Sequence, residues 1–276
     1  MKTTTQTLSS AVTIIQYSNF YSPTQKKSYQ VDVFLPPHYA QNIHQKYAVL
    51  YANDGQDMEA VEMAQTLAEL YLRQQTQPFI VVAIHANERL QDYGTAFVLD
   101  FAKRGNKAKK YAHFLHTELM PYINAHYRTL TAAEHTAFMG FSLGGLSAFD
   151  IVWHNRHLYG MVGVFSGSFW WRTRDLSNGY TPNDRIMQAQ IRDTPQQAKE
   201  NLRFWLQTGT LDETNDRDGD GVIDAIGDTL DLVLELNNKG YDAQHIRYVE
   251  VVNGYHNHET WKCVLPDFLS WAFQKK

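Results

Sequence analysis

A single cysteine, Cys263, stands among the 276 residues. Without a second thiol no intramolecular disulfide can form, so the fold must rest on its core, and the chain reads as one suited to a reducing compartment. Proline is sparse as well: of 8 residues only Pro36-Pro37 are adjacent, which leaves no polyproline spacer between domains. No apolar run approaches the ~20 residues a bilayer-spanning helix requires. The opening MKTTTQTLSSAVTIIQY has a lysine but no apolar h-region, so no secretory leader and a cytoplasmic location are expected. A basic excess is also missing. Lys and Arg number 25 against 29 acidic residues, a formal charge of −4, and a nucleic-acid partner is not expected.

What is present is a chain with 43% hydrophobic and only 20% charged residues, far from a disordered composition. Its length suits one three-layer α/β unit, and residues 1–276 are expected to form one domain. Val12–Tyr17 and Tyr29–Leu35 are β-branched and aromatic, hence strands. Tyr47–Ala52 and Phe79–Ile84 are short apolar runs of the kind buried on both faces of a parallel sheet. Helical spacing marks Met58–Leu72 between them. Further on, expected helices at Tyr111–Tyr127, Leu143–Trp153, Thr229–Asn238 and Thr260–Phe273 alternate with strands at Thr136–Phe141, Met161–Phe165, Phe204–Gln207 and His245–Val252. That alternation predicts an α/β fold with a mostly parallel sheet, antiparallel at its start, and helices on both faces. Residues 170–194 are polar and irregular, either a lid over a site or a surface excursion.

Gly140-Phe141-Ser142-Leu143-Gly144-Gly145 lies between an expected strand and an expected helix. A serine on such a turn is held in a strained backbone conformation, and its neighbours are glycine because side chains would collide with backbone. The hydroxyl then projects at the carboxyl end of the sheet. The helix N-terminus aims the Leu143 amide where an oxyanion would form. Ser142 is therefore the candidate nucleophile.

A serine hydroxyl needs a base, usually a histidine oriented by a carboxylate, and in this architecture the chain order is Ser, acid, His. Asn253-Gly-Tyr-His-Asn-His258 follows the last expected strand, so His256 and His258 both qualify by position. The acid should follow the preceding strand, where Asp212 is the choice and Glu213 the alternative. Both carboxylates could instead merely cap a turn.

Together these residues resemble the Putative esterase family, an α/β-hydrolase group that includes formylglutathione hydrolases, feruloyl and acetyl-xylan esterases, siderophore esterases and mycolyltransferases. The resemblance covers most of the chain. Tyr47 to Gln56 is similar to that family's segment ending in Asp-Gly-Gln, Gly140 to Gly145 to its nucleophile segment, and Gly254 to Trp261 to its histidine segment. In that last segment a tryptophan stands five positions after the base. The resemblance thus implies His256 as base, Asp212 as acid and the Gln56 amide as second oxyanion donor. It also implies acyl transfer through Ser142 without a cofactor, on a small-molecule ester. Tyr255 departs from the pattern, many members having glycine there. Two other readings remain: transfer of the acyl group to an alcohol other than water, and a non-catalytic binding scaffold.

Asp216-Arg-Asp218-Gly-Asp220-Gly-Val222-Ile-Asp224 has the alternation of a calcium loop, with glycine at the sixth position. Gly227 occupies the twelfth, where a bidentate Glu would normally be, and Asp228 could substitute. A structural calcium held by Asp216, Asp218, Asp220, Val222, Asp224 and Asp228 is expected, against the simpler reading of a solvated acidic turn. Arg89 and Trp170, each after an expected strand, are candidates for substrate contact or, equally, for packing.

Overall fold

The computed structural model describes residues 3–8, 12–195 and 201–275. Among these residues nine strands form one sheet: β1 (Thr3–Leu8), β2 (Val12–Ser22), β3 (Lys27–Leu35), β4 (Ala48–Ala52), β5 (Phe79–Ile84), β6 (Thr136–Phe141), β7 (Met161–Phe165), β8 (Arg203–Leu211) and β9 (Ile246–Tyr255). Their spatial order is β1-β2-β3-β5-β4-β6-β7-β8-β9. The pairs from β1 through β3 to β5 are antiparallel, and every pair from β5 to β9 is parallel. This is the mostly parallel sheet with an antiparallel start that the alternation predicts.

The helices are α1 (Met63–Leu72), α2 (Arg89–Asp92), α3 (Ala108–Phe114), α4 (Met120–His126), α5 (Leu143–His154), α6 (Ile186–Asp193), α7 (Asp224–Asn238) and α8 (His258–Ala272). They cover both faces. Ala48, Leu50 and Ala52 of β4 join one apolar cluster with α1 and α8, while Val49 and Tyr51 join the other with α3, α5 and α7. The period of two in a strand buried on both sides explains why β4 through β7 are apolar at nearly every position.

Several boundaries differ from expectation. The helix expected from Met58 begins at Met63, because Glu62 sits at φ 53° and breaks the spiral ahead of it. The stretch expected as one helix over Tyr111–Tyr127 is α3 and α4 joined by a π-turn at Leu115–Leu119, just before Pro121. There the missing proline amide already interrupts the hydrogen-bond ladder. Residues 170–194, read as irregular, contain α6, whose Ile186, Met187 and Ile191 are buried. Among the described residues no helix is long and apolar enough to cross a membrane.

The chain leaves β4 for β5 on one side and crosses back to β6 on the other. The carboxyl ends of β4 and β6 therefore flank a switch in direction, the place where an open α/β sheet leaves a crevice.

Candidate active site

Ser142 sits on that crevice, between β6 and α5, at φ 53° and ψ −121°. Non-glycine residues seldom occupy this region, and it persists only where surrounding structure enforces it. The enforcement is visible. The Ser142 amide donates to Phe165 O at 2.8 Å, tying the turn to the end of β7. A Cβ on Gly140 would lie 2.2 Å from Gly144 O, and one on Gly144 would lie 2.0 Å from Asp54 Oδ2. The glycines are needed for close approach. The half-buried Ser142 hydroxyl lies 3.5 Å from Ser168 Oγ. Leu143 opens α5, so its amide has no partner within the helix.

The segment after β4 packs directly against this turn. Asp54 has φ 59° and opens a 3₁₀ turn over Gly55–Asp57. Asn53 Nδ2 donates to Gly144 O at 2.8 Å, and Tyr111 Oη donates to Asn53 Oδ1 at 2.7 Å. The Gln56 side chain is engaged locally, with Nε2 donating to Asp54 Oδ1 at 3.1 Å and Oε1 accepting from the Ala86 amide at 2.9 Å. Gln56 itself is exposed in the first turn of its 3₁₀ segment, where amides lack intrahelical acceptors.

Arg89 reaches the same place, but not as a free cation. Its Nε donates to Asp54 Oδ1 at 2.8 Å, and one terminal nitrogen donates to Asp54 Oδ2 at 3.2 Å and to Phe141 O at 3.1 Å. The sequence hints at neither contact, since the partners are 35 and 52 positions away. Trp170 is half-buried. It lines a cavity of 430 Å³ with Arg172, Leu176, Glu213, Asn215, Asp216, Arg217 and Asp224, and the Arg104 guanidinium lies 5.2 Å from its ring.

Asp212 follows β8 and is 8% exposed. Burial pushes its carboxyl above the usual range, while the Gly209 backbone, the Ser166 hydroxyl and His256 pull it back. Burial lowers the His256 pKa, Asp212 raises it and the Arg89 charge lowers it further. Each is thus within electrostatic range of the other. Asp212 Oδ2 is buried and has no hydrogen-bond partner. His258, the other positional candidate, opens α8 and turns toward Asp57, 3.6 Å from its Oδ1. Glu213 accepts from Asn215 at 2.9 Å. Trp261 separates the two histidines, each ring centroid lying 5.3 Å from its own.

In the acidic loop the carboxylates of Asp216, Asp218 and Asp220 gather within 4.8 Å of one another. The remaining expected ligands lie differently. Asp224 takes Arg217, and the buried Asp228 takes both Arg185 and Arg217. The Val222 amide donates to Asp220 Oδ1 at 2.8 Å. Asp216 already accepts from the amides of Gly219, Asp220 and Gly221. Counted at one oxygen each, these three carboxylates supply three of the six to eight oxygens calcium takes, so the set as arranged fits the ion only in part.

The comparisons with known proteins agree with this architecture. A ferulic acid esterase superposes with a TM-score of 0.71 at 18% identity, over 96% of this chain and 98% of its own. The enterobactin esterase FES of Shigella flexneri gives 0.70 at 19%, over 98% of this chain and 61% of its own. An IroE-like serine hydrolase of Shewanella oneidensis gives 0.66 at 20%, over 99% and 80%. In sequence, the uncharacterised protein YbbA of Bacillus subtilis is 22% identical over 143 residues, half of this chain and 56% of that protein. The model of the family described as Putative esterase matches residues 22–272. The chain belongs to the Putative esterase family.

Proposed function

We propose that the protein hydrolyses carboxylic esters through an acyl-enzyme on Ser142, with His256 as base and Asp212 as the carboxylate that orients it. The observation that carries this reading is the strained Ser142 turn at the strand switch, walled by glycines that leave no room for a Cβ. In the first step His256 takes the hydroxyl proton as Ser142 Oγ attacks the ester carbonyl. The amides of Leu143 and Gln56 receive the tetrahedral oxyanion, each such donor being worth about 3 kcal/mol. The alcohol departs with the proton from His256. Water, deprotonated by His256, then releases the acid and restores the serine.

Burial favours the neutral imidazole, which is the form a general base needs. The surrounding protein desolvates part of the imidazole, but the residue as a whole is exposed, so water can reach the acyl-enzyme, and this favours hydrolysis over transfer to another alcohol. The cavity beside Trp170 and Arg172 is the proposed seat of the substrate's larger, unsaturated or aromatic part. We assign Asp216, Asp218 and Asp220 to a weak structural calcium site, and on its single cysteine place the protein in the cytoplasm. The test is hydrolysis of p-nitrophenyl esters of increasing chain length by wild type and Ser142→Ala. Turnover lost by a folded Ser142→Ala is the expected result. Undiminished turnover in Ser142→Ala, or failure of a phosphonate to label Ser142, overturns the reading.

A further inference from the structure

Asp212 is gripped from the side facing away from its unpartnered oxygen. Its Oδ1 accepts from Ser166 Oγ at 3.1 Å, and Ser166 Oγ accepts from Trp261 Nε1 at 2.9 Å. Ser166 and Asp212 are buried and Trp261 is 6% exposed. The three come from separate elements: Ser166 from the end of β7, Asp212 from the end of β8, and Trp261 from α8. A hydroxyl can accept from an indole N–H and donate to a carboxylate through one oxygen. Alanine there would orphan two buried polar atoms at once.

The backbone adds a second sign. Ser166 is held at φ 49°, with its amide donating to Gln207 O at 2.8 Å. A non-glycine residue in the left-handed region is a strained choice that tends to survive where a site requires it. Glycine would relieve the strain but supply no hydroxyl. Trp261 also stacks on Phe141, the residue before the nucleophile, at 5.0 Å and 16°, and meets the His256 ring edge-on. One indole therefore contacts the base, the residue preceding the nucleophile and, through Ser166, the acid.

We propose that Ser166 and Trp261 are positioning residues: the chain Trp261 Nε1–H to Ser166 Oγ–H to Asp212 Oδ1 fixes the carboxylate so that Oδ2 is presented to the imidazole of His256. The inference rests on Asp212 and His256 being the acid and base proposed above. With Oδ1 held by Ser166, Oδ2 is the buried carboxylate oxygen left without a partner. Ser166 and Trp261 touch no reacting bond; they act through Asp212.

The experiment compares Ser166→Gly, which accepts the φ angle without the hydroxyl, and Trp261→Phe, which keeps a ring without the N–H. Both are made singly, together and in an Asp212→Ala background, and thermal unfolding checks each for folding. The expected result is a kcat about tenfold lower in Ser166→Gly, the low end for losing a hydrogen bond to a charged group, and lower by a smaller factor in Trp261→Phe, whose lost bond joins neutral groups, with KM within about twofold in both. The double variant should be no worse than the poorer single one, because the two donors form one chain. In the Asp212→Ala background neither change should alter the rate at which a phosphonate labels Ser142. Wild-type kcat in Ser166→Gly, or the same loss with and without Asp212, overturns the proposal. If Ser166→Gly fails to fold, the Trp261→Phe pair of measurements decides alone. A wild type that fails to label at Ser142 overturns the ester-hydrolase reading as well. Normal labelling with an insensitive Ser166→Gly sinks only the positioning chain.

Discussion

Asp54 and Arg89 form a two-pronged ion pair in which the carboxylate is wholly inaccessible and the guanidinium also grips the carbonyl of Phe141, the residue before Ser142. The pair joins the loop after β4 to the turn after β6, the two segments from which both proposed oxyanion amides come. Nε and one terminal nitrogen of Arg89 are already committed to these contacts.

Arg89→Ala should therefore destabilise the fold before it affects recognition. It leaves a buried carboxylate unpaired, which usually costs 3–5 kcal/mol. Because the outer edge of Arg89 meets water, about 2 kcal/mol is the expected figure. Urea unfolding measures it, and Arg89→Lys, which keeps a charge but not the fork, should fall between.

Gly144 and Gly227 offer a matched pair. Alanine at 144 would drive its Cβ into Asp54 Oδ2, whereas nothing lies within 4 Å of the Cβ at 227. Gly144→Ala should lose at least about 1–3 kcal/mol of stability, the usual range for overpacking, and most of its ester turnover. Gly227 lies inside α7, and Gly227→Ala should gain about 0.5–1 kcal/mol. Thermal melts and p-nitrophenyl acetate turnover of both variants check this.

Ester turnover should persist to a lower pH than a free histidine would allow. Burial and the Arg89 charge lower the His256 pKa from 6.5, with Asp212 opposing them. The imidazole thus stays neutral, and able to accept the serine proton, below the pH at which a free histidine would be half protonated. The acid limb of kcat/KM should have its midpoint below 6.5 and should move upward in Arg89→Gln, which removes a cation that disfavours imidazolium.

Calcium should bind weakly. With Asp224 and Asp228 held by Arg217 and Arg185, the loop offers three carboxylates and water. Its affinity should fall in the range of about 10⁻⁴ to 10⁻³ M found for the weakest calcium modules. Calorimetric titration checks it: micromolar affinity would mean that both aspartates leave their arginines, and no heat at 10 mM (roughly ten times the weaker limit) would remove the site.

Local chemistry was the legible part of the sequence. The apolar runs of β4 and β5 and the glycine-walled turn at Ser142 depend on neighbours a few positions away, so they could be read directly. What escaped depends on tertiary contact. Strand β1 is Thr-rich and polar, and it exists because it pairs with β2. Helix α6 has a mean composition too polar to announce itself, and its three buried apolar residues count only once α7 is beside them. Ser166 lies 46 positions from Asp212 and 95 from Trp261. Its one local hint is a Ser-Gly-Ser run at the end of a strand, which does not say what the hydroxyl would meet. In the acidic loop the alternation of aspartates was plain, but the competition from Arg185, 43 residues from Asp228, was not.

Cys263 lies on α8 two residues beyond Trp261, exposed while the indole faces inward. A maleimide dye or nitroxide attached to the wild-type protein would therefore go to one address, with no cysteine to introduce or remove. That address is on the helix that carries the wall of the histidine. Opening or tightening around His256 on the proposed acylation of Ser142 would register as a change in the label's emission or mobility, observable in the unmutated protein.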